Sequence, residues 1–149
     1  MSPQPIRVAF MCVQNAGRSQ MATAFANREH ERRDLADAVE IRSGGTHPSD
    51  YVHEEVIDVM HEEGFDLSNR TPREITTEEL EACAYVATMG CSTLELDATA
   101  TDIDVRDWAL DDPAGQDLNA VREIRDEIEN RVQALFDEIE HDLETLGTQ

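Results

Sequence analysis

Short apolar runs alternate along this chain with longer segments whose apolar residues recur every three or four positions. Ile6 to Cys12 (IRVAFMC) reads as a strand and Val39 to Ser43 (VEIRS) as a second. Ala84 to Met89 (AYVATM) is a third, and Ile103 to Leu110 (IDVRDWAL) holds a fourth. Between them, Ser19 to about Arg32 is rich in helix formers, with Met21, Ala22, Ala24 and Phe25 as its apolar stripe. Val52 to Glu63 repeats Val52, Val56, Val59 and Met60, and Gly64 marks its stop. Thr76 or Thr77 can cap a short helix through Ala82, with Glu78 or Glu79 in its first turn. The last helix steps through Leu118, Val121, Ile124, Ile128, Val132, Leu135, Ile139, Leu143 and Leu146. Its other faces carry Arg, Asp and Glu, so one side should lie on a sheet and the other in water.

This alternation predicts an α/β three-layer sandwich: a four-stranded parallel sheet with helices on both faces. No repeat, low-complexity tract or linker divides the chain, so residues 1–149 are expected to form one domain. In such folds ligands bind at the carboxyl ends of the strands. The loops after each strand are therefore where chemistry is sought.

Charge narrows the field. Against 33 Asp+Glu the chain has 12 basic residues, all arginine, for a net charge of −21 over 149 residues. That balance disfavours nucleic acid and anionic membranes as partners. No apolar run approaches membrane-spanning length, and Met1 to Pro5 lacks the features of a signal peptide, so a cytoplasmic protein is expected. An acidic excess this large repels itself at ordinary ionic strength and is relieved where salt shortens the Debye length to about 3 Å at 1 M. We read it as adaptation to a salt-rich cytoplasm.

The loop after the first strand is Cys12-Val13-Gln14-Asn15-Ala16-Gly17-Arg18-Ser19: a cysteine, five residues, then Arg-Ser opening a helix. Backbone N–H groups from Val13 to Ser19, curled ahead of a helix N-terminus, form a cup for an oxyanion. Gly17 is expected to supply the unusual backbone turn. Arg18 offers a planar fork matching two oxygens of a tetrahedral anion. Cys12 lies beneath the cup, where the same field favours the thiolate nucleophile and the Ser19 hydroxyl can steady it. Asp111-Asp112-Pro113-Ala114-Gly115 follows the fourth strand at the same edge, and Asp112 is the candidate general acid for the departing oxygen.

Cys12 to Ser19, with Asp112-Pro113 and a terminal helix, resembles the low-molecular-weight protein tyrosine phosphatase fold over about Arg7 to Leu143. Within it, Asn15 to Ala22 and Trp108 to Gly115 are more similar to the arsenate reductase branch. Gln20 and Ala114-Gly115 stand where phosphatases more often have proline and aromatic residues. Ser43-Gly44-Gly45-Thr46 is similar to a Ser-Ala-Gly-Thr stretch of both branches. The resemblance implies arsenate reduction: Cys12 attacks the oxyanion, Asp112 protonates the leaving oxygen, and a second thiol attacks the Cys12 sulfur to release arsenite. The alternative is hydrolysis of phosphomonoesters through a cysteinyl-phosphate; a non-catalytic oxyanion sensor is a third reading.

By the same resemblance Cys91, after the third strand, matches the resolving cysteine of thioredoxin-coupled reductases. Those proteins carry a third cysteine shortly afterwards, and Ser92 to Ala100 has none. Either an outside reductant opens a Cys12–Cys91 disulfide, or an external small-molecule thiol attacks the Cys12 adduct and Cys91 is a spectator. An external thiol, small or thioredoxin-like, is thus expected in place of a bound cofactor. Cys83, at the start of the third strand and roughly 20 Å from its far end, reads as a buried core residue. No metal is expected. His53 and His61 are eight residues apart among glutamates, whereas a helical ligand pair needs three or four.

Overall fold

A computed structural model describes residues 6–12, 15, 17–35, 38–45, 47–89, 104–108, 110 and 115–147. Its strands are β1 (Ile6–Cys12), β2 (Val39–Gly45), β3 (Tyr85–Thr88) and β4 (Asp104–Asp107); its helices are α1 (Arg18–Arg32), α2 (Glu54–His61), α3 (Thr77–Glu81) and α4 (Leu118–Gly147). The four strands form one parallel sheet in the order β2-β1-β3-β4. β1 is therefore central, and its end carries Cys12. Val8 to Cys12 are all buried although successive side chains point to opposite faces, so both faces are covered and the sheet is the middle of three layers.

β2 runs two residues further than its apolar run suggests, because Gly44 and Gly45 continue the ladder opposite Met11 and Cys12. α2 starts two residues later than expected: His53, in extended conformation, is its N-cap. Thr76 caps α3, accepting a hydrogen bond from the Glu79 N–H. Gly64, at φ 88°, lies in the turn after α2, whose Asp58, Met60 and His61 carbonyls accept from the backbone of residues 62–65.

α4 packs along α1 and α2 and touches the sheet through side chains, Tyr85 to Asp142 and Arg106 to Glu138. Val121, Ile128, Val132, Leu135, Phe136 and Ile139 are buried, whereas Leu118 is exposed. One charged residue departs from the expected wet face. Arg125 is buried, donating to the Val59 carbonyl at 2.9 Å and to Glu62 at 2.8 Å, and so satisfies another carbonyl in the last turn of α2. Among the described residues no helix is long and apolar enough to cross a membrane.

Candidate active site

β1 delivers Cys12 to the carboxyl edge of the sheet, where only 3% of the residue is exposed. Two groups converge on its sulfur. The Asn15 N–H donates to Sγ at 3.2 Å, and the Ser19 hydroxyl lies 3.0 Å away. Ser19 Oγ also accepts from Asn15 Nδ2 at 2.7 Å, which leaves its own proton free for the sulfur. Such a chain polarises each bond in turn and favours negative charge at its end. Ser19 sits in the first turn of α1, so the helix dipole adds to that field.

Gly17 has an unusual backbone, φ −141° and ψ −95°, as expected, and among the described residues of the loop Asn15, at φ 52°, is left-handed. Asparagine tolerates this region because its amide finds local partners. Here it has many. Nδ2 also donates to Ser43 Oγ at 2.9 Å, and Oδ1 accepts from Gln20 Nε2 at 3.0 Å and from the Arg73 N–H at 3.1 Å. Gln20 Nε2 reaches the Asn15 carbonyl as well, at 3.0 Å. Asn15, Ser19 and Gln20 are all buried. A fully satisfied polar network of this kind fixes one geometry.

Arg18 is half-buried, and its Nη1 donates to the Leu110 carbonyl at 2.8 Å. This bond ties the head of α1 to the chain leaving β4, two residues before Asp112. Arg18 has no carboxylate partner among the described residues, so the rest of its fork is free of ion pairing there.

The structure thus brings together Cys12, Asn15, Gly17, Arg18 and Ser19. Val13, Gln14, Ala16, Asp111, Asp112 and Cys91 lie outside the described residues. Cys83 lies just ahead of β3, at the edge away from the cup; it is buried, donates to the Glu79 carbonyl at 3.3 Å, and burial pushes its thiol up. Sequence reasoning missed the side chains of Asn15, Ser43 and Arg73 as parts of the site. Their one visible signal was the small-residue stretch from Ser43 to Thr46.

Among the described residues one group of acids comes within metal-binding reach, Glu63, Asp126 and Glu129. Arginines already neutralise it: Arg125 meets Glu63 at 3.6 Å and Asp126 at 3.0 Å, and Arg28 pairs with Glu129. It lies in the turn after α2 and on α4.

Residues 7–145 match the family model for low molecular weight phosphotyrosine protein phosphatase. A Halobacterium salinarum protein named "Putative arsenate reductase" is 71% identical over 136 residues, covering 91% of this chain and 94% of that one. The glutaredoxin arsenate reductase of Synechocystis is 33% identical, covering 89% of this chain and 98% of that one. Among solved structures, a Corynebacterium glutamicum thioredoxin-dependent arsenate reductase superposes with a TM-score of 0.73 at 30% identity, over 95% of this chain and 65% of that one.

Proposed function

We propose, for a chain that belongs to the low molecular weight phosphotyrosine protein phosphatase family, that its reaction is the thiol-dependent reduction of arsenate to arsenite. The observation that carries this reading is the pair of groups, Asn15 N–H and Ser19 hydroxyl, aimed at a nearly buried sulfur at the head of a helix. Such a sulfur is a nucleophile, and the helix end beside it is an anion site.

Cys12 thiolate attacks arsenic, an As–S bond forms, and one oxygen leaves as water with a proton from Asp112. Arg18 and the loop amides from Val13 to Ser19 hold the remaining oxygens. A second thiolate then attacks the Cys12 sulfur. The new S–S bond forms as the As–S bond breaks, its electron pair goes to arsenic, and As(V) leaves as arsenite. Cys91 or a thiol from outside the chain supplies that second sulfur. Relatives named glutaredoxin arsenate reductase and thioredoxin-dependent arsenate reductase support an external thiol donor.

The test is arsenite release from arsenate in concentrated KCl with small thiols, thioredoxin or glutaredoxin. Wild type turns over, Cys12→Ser does not, and Cys91→Ser identifies the resolving thiol by losing or keeping turnover. Hydrolysis of an aryl phosphate without arsenite from any donor would leave the phosphatase reading in its place.

A further inference from the structure

Asn15 is held left-handed by bonds to its side chain, and one of these supports comes from far along the chain. The segment Arg73–Ile75 lies against the end of β2 as a short strap. Gly45 N–H donates to the Arg73 carbonyl at 2.9 Å, Ile75 N–H donates to the Gly45 carbonyl at 3.1 Å, and Gly45 and Glu74 form an isolated parallel bridge. Gly44 makes this approach possible: a Cβ there would stand 2.4 Å from Ile75 Cβ and 2.9 Å from Ile75 N.

At the head of the strap, Arg73 makes contacts in three directions. Its backbone N–H donates to Asn15 Oδ1 at 3.1 Å. Its Nη1 donates to the Ser43 carbonyl at 2.8 Å, and Ser43 Oγ is the acceptor of the Asn15 amide. Its Nη2 bonds the Glu79 carboxylate at 2.9 and 3.2 Å, and Glu79 also faces Arg42 at 3.7 Å. The rigid guanidinium fork suits a carbonyl and a carboxylate at once, which a flexible ammonium does not match.

We propose that Arg73 is a positioning residue for the oxyanion cup: its side chain clamps the strap between β2 and α3, so that its N–H and Ser43 keep Asn15 left-handed and the Asn15 N–H stays on Cys12. This rests on the reading of Cys12 as the nucleophile. Arg73 touches neither the sulfur nor the substrate. Its side chain is half exposed, so its ion pair adds little to global stability, and its effect is on geometry.

The test follows the rate of Cys12 alkylation by iodoacetamide from pH 5 to 9, read by mass spectrometry of the Cys12 peptide. Wild type, Arg73→Gln and Arg131→Gln are compared, the last being an exposed pair on α4. For Arg73→Gln the midpoint moves up and alkylation at pH 7 slows roughly tenfold, the loss of one hydrogen bond to an anion. Arg131→Gln follows wild type. A profile for Arg73→Gln that coincides with wild type, whatever happens to its melting temperature, overturns the proposal. If Arg73→Gln does not fold, Glu79→Gln removes the far end of the same clamp and is read by the same criteria. Alkylation needs no arsenate turnover, so an inactive wild type with a shifted Arg73→Gln profile would refute the reductase reading and leave this one standing.

Discussion

Two regions of the molecule are held together by opposite means. At the carboxyl edge of the sheet, neutral side chains (Asn15, Ser19, Gln20 and the half-buried Ser43) meet in buried and partly buried hydrogen bonds that converge on one residue. Along the helical layer, charged pairs tie α1 and α2 to α4: Arg33 to Asp137 and Glu140, Arg122 and Arg125 to Glu62, Arg28 to Glu129. Buried neutral bonds are insensitive to salt and costly to leave unmade. The ion pairs combine mostly covered arginines with carboxylates that are for the most part open to water, and salt screens them at that open end. The bonds that Asn15 makes directly are therefore ones that concentrated salt leaves intact, and the charged pair behind them, Arg73 to Glu79, is the part of the cup's support that salt can screen.

The largest effect expected from this contrast is at Asn15. Asn15→Ala strips partners from Ser19, Ser43, Gln20 and the Arg73 N–H together; about 4 kcal/mol of stability should be lost at roughly 1 kcal/mol for each of these groups. Arsenite release should fall about a hundredfold, as when a preorganised donor is removed from a reacting centre. Chemical denaturation and initial rates measure the two losses. Next comes Arg125→Met, at about 2 kcal/mol, because Val59 loses its acceptor role beside a buried site; activity should not change.

Acid probes the helical layer most strongly at Glu62. Arg122 and Arg125 hold the Glu62 carboxyl at about 2, against an ordinary 4.5. A depressed folded value stabilises fully above about pH 4.5 and is lost as pH falls through about 2. Thermal melts over that window should show a decline in stability that Glu62→Gln flattens. The smallest effect is at the exposed Arg131–Glu127 pair, four residues apart on α4. Arg131→Gln should shift stability by less than about 0.5 kcal/mol, and less again in molar KCl. A larger loss there than at Asn15 would break the comparison.

What the sequence made legible was whatever repeats locally. β1 has the bounds read from its apolar run, α1 begins one residue early, and the stripe from Val121 to Ile139 faces inward. Period and propensity act over a few residues, and those elements need nothing more. The contacts that complete the cup do not repeat. Asn15 meets Ser43 and Arg73 across 28 and 58 residues of chain, and only the register of the sheet and the bare backbone at Gly44 bring them together. The left-handed backbone at Asn15 was not legible locally, because some of the side-chain bonds that support it come from elsewhere in the fold. Arg125 followed the same pattern, drawn inward by the last turn of another helix.

The central place of β1 also has a consequence for synthesis. Of the described strands β1 is made first, yet its neighbours in the sheet are β2 and β3, and Val8 pairs with Tyr85. At ribosomal speeds of about 5–20 residues per second, the interval from Cys12 to Tyr85 lasts roughly 4–15 s. During that interval the thiol has emerged without the sheet that buries it. Parallel pairing over such separations is a slow, non-local step. Cys12 thus waits, with the rest of β1, for strands made long after it before its cover is complete.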